Sequence, residues 1–111
     1  MAPFEKEFLQ LLGFLYLQNA RPDKAGVVLA ALDILEPAQP TILRALALAQ
    51  IRSSKPLRAL ETLDRLAMAG GANAAFHLLR AQALSAAERR DEAAAAMDTY
   101  LQLRESIPKP S

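Results

Sequence analysis

The side chains with chemistry to offer are few and scattered. The chain holds one histidine, His77, and no cysteine, which excludes a disulfide, a thiolate metal site and a cysteine nucleophile, and leaves the imidazole without a second histidine to share a metal. Carboxylates occur in close pairs at Asp33 and Glu36, Glu61 and Asp64, and Asp91 and Glu92, an arrangement that general acid–base catalysis could use. Each pair falls on a predicted second helix or a helix start among basic neighbours, where solvation, the helix dipole and capping account for it. No HExxH, GxSxG or glycine-rich phosphate loop occurs. The expectation is therefore a protein that is not an enzyme, with no cofactor and no metal. Arg89 and Arg90 fall in a predicted turn, where they serve solubility.

The elements that position these residues follow from composition. Thirteen basic residues stand against twelve acidic ones with no long block of either sign, so the chain lacks the electrostatic footprint of nucleic-acid or membrane-surface binding. The hydrophobic fraction is 52%. Even so, the longest charge-free runs, 8–20 and 66–79, fall short of the roughly 18 apolar residues that a span requires. The first run follows Glu5, Lys6 and Glu7 with no basic segment before it, unlike a cleaved secretory signal. These features predict no membrane insertion and a cytoplasmic location. Alanine and leucine dominate, and β-branched apolar residues are few. An all-α fold in one domain, 1–111, is the consequence.

A repeat organises the helices. Pro22 and Pro56 lie 34 residues apart, each three residues before an alanine, Ala25 and Ala59, and proline is tolerated in the first turn of a helix. The same shift carries Leu9 onto Leu43, Leu12 onto Leu46, Leu29 onto Leu63 and Leu32 onto Leu66. A 34-residue period of paired helices resembles the tetratricopeptide repeat. Leu9, Leu12, Gly13, Tyr16, Ala25, Leu29 and Pro37 match its pattern in the first unit, with Leu9 in place of tryptophan. In the second unit Gln50 replaces the tyrosine and Gly71 stands where Pro37 stood. Gly13 and Ala25 would let the paired helices approach closely, and Gly70 and Gly71 would end the fourth helix through a left-handed residue. The third unit is degenerate. Ala93, Met97 and Tyr100 fit the second helix before Pro108, but Phe76, Leu79 and Ala83 fit the first only if the turn 87–90 is longer than its counterparts. The resulting map is six helices, at 3–18, 22–35, 41–52, 56–69, 74–87 and 91–106, with Asn73 and Asp91 as N-caps. They form three tandem tetratricopeptide-like hairpins at about 6–39, 40–73 and 74–108 in a short right-handed solenoid with a concave groove.

Applying the family's groove positions selects Gln10, Phe14 and Leu17, then Arg44, Leu48 and Ile51, then Phe76 and Arg80, an apolar strip flanked by two arginines. Such a strip suits an amphipathic helix or an extended apolar segment of a partner. The competing reading packs individual members, Phe14 or Leu17, between adjacent repeats. The sixth helix should be the polar cap of the array, yet Ala93 to Met97 is unbroken apolar sequence and Tyr100, Leu101 and Leu103 follow. Met97, Tyr100 and Leu101 are thus a second surface that a partner would cover, unless alanine serves there only as a helix former.

The stretch Glu7-Phe8-Leu9-Gln10-Leu11-Leu12-Gly13-Phe14-Leu15-Tyr16-Leu17-Gln18, followed by Ala25, Leu32, Leu35 and Pro37, resembles the opening of the YscY family of bacterial type III secretion chaperones. Arg80 to Leu84, Asp91-Glu92-Ala93 and Tyr100 to Leu103 are similar to its closing segment, with about two extra residues between Arg80 and Ala93. The resemblance implies a small bacterial cytoplasmic chaperone that forms a heterodimer with one secreted partner of the YscX type and helps present it to the export-gate protein, a role in protein transport and virulence. Needle-subunit chaperones, translocator chaperones and a generic tetratricopeptide adaptor are the alternatives. An adaptor that clamps acidic peptide C-termini is disfavoured, because Phe14, Leu17, Leu48 and Ile51 stand where it would need cations and amides.

Overall fold

The computed structural model describes residues 3–106, and Pro108, the expected end of the third unit, lies outside them. Among the described residues the chain is entirely helical outside its turns: α1 Pro3–Gln18, α2 Pro22–Leu35, α3 Pro40–Arg52, α4 Pro56–Met68, α5 Ala74–Ala86 and α6 Arg90–Glu105. Proline opens α2, α3 and α4 at the first helical turn, where the missing N–H has no intrahelical acceptor to lose. α5 starts without proline, and there Asn73 caps the helix, its Oδ1 accepting the Phe76 N–H at 3.0 Å. Asp91 is not the cap expected of it. α6 begins one residue earlier, Arg89 stands at the N-cap, and Asp91 lies in the first turn, where its charge complements the helix dipole.

The turns within the hairpins repeat to the residue. Asn19, Ser53 and Ala87 donate to Leu15, Ala49 and Ala83; Ala20, Ser54 and Glu88 to Leu17, Ile51 and Ser85; Arg21, Lys55 and Arg89 to Tyr16, Gln50 and Leu84. Each set is the previous one advanced by 34. The central residues Ala20, Ser54 and Glu88 are left-handed, with φ of 56°, 60° and 61°. The pattern is a Schellman closure, in which two late N–H groups satisfy orphaned carbonyls of the last helical turn. This corrects the expected longer turn at 87–90. The third hairpin has the same connection as the first two.

Consecutive helices pack on one another, forming the hairpins α1–α2, α3–α4 and α5–α6. α1 also reaches α3 and α3 reaches α5, whereas no Cα of α2 comes within 8 Å of α4, nor of α4 within 8 Å of α6. Gly13 permits the first seam. A Cβ there would sit 2.9 Å from Leu29 Cδ2 and 3.0 Å from its Cγ, and Leu29 is fully buried. One apolar cluster joins Ala25, Leu29 and Leu32 to Ile42, Ala45, Leu46 and Ala49. A second joins Leu43, Leu60, Leu63 and Leu66 to Phe76, Leu79 and Leu84. Gln50, in the tyrosine position, accepts the hydroxyl of the buried Thr62 at 2.7 Å, so a polar group enclosed between α3 and α4 is satisfied.

Candidate partner-binding groove

Gln10, Phe14 and Leu17 lie at i, i+4 and i+7 on α1, and Arg44, Leu48 and Ile51 lie 34 residues further on α3. All six are half-buried. Phe14 and Leu17 lean on the first apolar cluster, and Leu48 and Ile51 on the second. Each therefore contributes partly to the core and partly to the surface shared by α1 and α3. Helical spacing cannot separate those two contributions, because a side chain at the edge of an apolar stripe serves both. Arg44 stands in the same row, and its Nε is shut off from water with no hydrogen-bond partner among the described residues.

The third unit differs from the expectation. Phe76 is only 6% exposed and belongs to the core, with the His77 ring meeting it edge-on at 5.0 Å between centroids. It occupies the place of the buried Ile42, not that of Gln10 or Arg44. Arg80 occupies the place of Leu12 and Leu46 and lines a cavity of about 260 Å³ between α5 and α6, beside His77, Glu92 and Thr99. The α5 positions equivalent to the candidate rows of α1 and α3, set by the repeating turns, are Leu78, Gln82 and Ser85. Leu78 is half-buried and the other two are exposed. The strip thus runs from apolar on α1 and α3 to polar on α5. Sequence reasoning missed these three because Phe76, Leu79 and Ala83 carry helical spacing of their own, on a neighbouring face of the same helix.

On the sixth helix Ala96 alone is buried among the described residues. Met97 packs against the second cluster, Tyr100 is half-buried, and Leu101 is exposed.

The carboxylate pairs do not converge on a site. Asp33, expected on a solvated face, is 9% exposed, and its two oxygens accept from Arg65 Nη1 at 2.5 Å and Nη2 at 2.9 Å. Oδ1 also accepts the Ala38 N–H at 3.2 Å. The Arg65 hydrogen bonds hold its carboxyl below the usual value of 3.8 against the opposing effect of burial. Glu92 pairs instead with Arg89. Among the described residues no three histidine, cysteine, aspartate or glutamate side chains gather as a metal site, and no helix is long and apolar enough to cross a membrane. No protein-family model matches the chain, and no curated protein matches its sequence.

Proposed function

We propose that the chain is a tetratricopeptide-like chaperone, a short right-handed solenoid whose α1, α3 and α5 line a concave groove for a helix or extended segment of another protein. The observation that carries this reading is the recurrence, at 34 residues, of the three turn hydrogen bonds and the left-handed residue in all three hairpins. Contact between first helices, with second helices held apart, bends such an array toward the first-helix side. The resemblance of 7–18 and 80–103 to the YscY family supplies the partner class: a small secreted protein of the YscX type in bacterial type III secretion, held in the cytoplasm and presented to the export gate.

The groove sets the chemistry of that segment. Its apolar side chains meet Phe14, Leu17, Leu48 and Ile51. Because these are already half-buried, each offers about half of the roughly 1.5–3 kcal/mol that full burial of a large apolar side chain yields. Part of that gain is lost to association and ordering entropy. A carboxylate or carbonyl on the partner serves the Arg44 guanidinium, and polar groups follow at Gln82 and Ser85. The test is co-expression with a YscX-type protein, purification through a tag on one member, and light scattering of the product. A one-to-one complex that Leu48→Glu abolishes, with helix content unchanged in circular dichroism, is the expected result. Equal capture by the wild type and by Leu48→Glu would remove the groove from the reading.

A further inference from the structure

Three residues of α1 spaced i, i+3 and i+7 project from the fold: Phe8, Leu11 and Leu15, exposed by 61%, 56% and 42%. Advanced by 34 they become Ile42, Ala45 and Ala49 of α3, and by another 34 Phe76, Leu79 and Ala83 of α5. All six of those are buried. In α3 they share a cluster with Ala25, Leu29 and Leu32 of α2; in α5 Phe76, Leu79 and Ala83 share one with Leu60, Leu63 and Leu66 of α4. This position on a first helix is therefore the one that the second helix of the preceding hairpin covers. α1 carries side chains there at least as large as those of α3, and no helix covers them among the described residues. α6 is the second helix left uncovered on the matching side. Ala94, at the place where α4 buries Leu60, is exposed, and Met97 and Tyr100, at the places of the fully buried Leu63 and Leu66, are only half-buried.

We propose that α1 of one copy docks on α6 of a second copy, continuing between chains the contact that α2 makes with α3 and α4 with α5 within one. The small Ala94 leaves room for Phe8, and Met97 and Tyr100 add apolar area further along the helix. Such a contact is head to tail, with different surfaces on the two partners, so it extends or closes into a ring instead of stopping at a symmetric pair. It uses no groove residue and stands independently of the proposed partner.

Light scattering after gel filtration, over a concentration series of the full chain, tests it. The wild type should exceed the monomer mass, increasingly with concentration. Phe8→Glu and Ala94→Glu should each run as monomers with wild-type helix content; Leu11→Glu replaces Phe8→Glu if that variant loses helix. Mixing the two variants should restore association and stop it at the dimer, because each retains one intact surface. A wild type that is monomeric throughout would overturn the proposal. So would an Ala94→Glu variant that still associates, which would point to α1 pairing with α1, or a mixture that stays monomeric.

Discussion

The chain crosses from one hairpin to the next twice, and the two crossings are held by different physics. Between α2 and α3 the turn is fastened by a side chain. Asp33, buried near the end of α2, accepts the Ala38 N–H and is clamped by Arg65 reaching over from α4. Between α4 and α5 no charge is involved: Asn73 caps α5 at the far end, and the turn leaving α4 is closed by backbone alone. Gly70 is left-handed at φ 85°, Gly70 and Gly71 donate to the Ala67 and Leu66 carbonyls, and Gly71 is pressed so close to Leu66 that a Cβ would lie 2.3 Å from its Cδ1. One crossing depends on charge and the other on shape. The same topological task is thus exposed to pH in one place and to side-chain volume in the other.

The largest effect should come from filling the tight crossing. Gly71→Ala drives a methyl into the fully buried Leu66 and should cost about 2–3 kcal/mol, whereas Pro37→Ala, at the corresponding exposed position of the first crossing, should cost less than about 1 kcal/mol; urea denaturation of both variants measures the difference. Next is the clamp. Arg65→Ala leaves the Asp33 carboxylate enclosed with one backbone donor and should lose about 1–2 kcal/mol, tempered because Arg65 itself is half-exposed.

Acid should sharpen the contrast. The Asp33 carboxyl is lowered in the fold, so its stabilisation is complete above the ordinary carboxylate range and disappears as pH falls through the depressed value. The stability gap between the wild type and Asp33→Asn should therefore be widest above about pH 5 and close on acidification below about pH 4, while Gly71→Ala keeps its deficit at every pH. The smallest pair exchanges the left-handed residues. Ala38, at φ 63°, should gain about 0.5–1 kcal/mol on becoming glycine, and Gly70→Ala should lose about 1 kcal/mol. Matched thermal melts would show the opposite signs.

Much of the backbone was legible in the residues. Pro22 and Pro56 mark the starts of α2 and α4, Asn73 caps α5, and all six helices lie within a residue of the expected bounds. Gly13 against Leu29 follows from the repeat pattern. What misled the reading was the third hairpin. Arg90 stands where Pro22 and Pro56 open their helices, so that landmark is missing, and the spacing of Phe76, Leu79 and Ala83 fits more than one face of α5. Periodicity reports that a face is apolar but not which neighbour it meets. The Asp33–Arg65 clamp joins residues on helices that are not packed against each other, beyond the reach of any local pattern. Its one trace is an acidic residue directly after Leu32 at the edge of a buried stripe. For the candidate groove, the rows picked from sequence on α1 and α3 are half-buried, and burial shared between core and surface depends on neighbours no single helix specifies.

That each helix meets only those one or two places away along the chain bears on how the protein folds and opens. Contacts of short sequence separation close quickly, so the hairpins should form fast and zip together without waiting for distant segments to meet. Opening should run the other way. α3, flanked on both sides and carrying six buried residues, should protect its amide protons longest, while α6, with Ala96 as its buried residue, should exchange early.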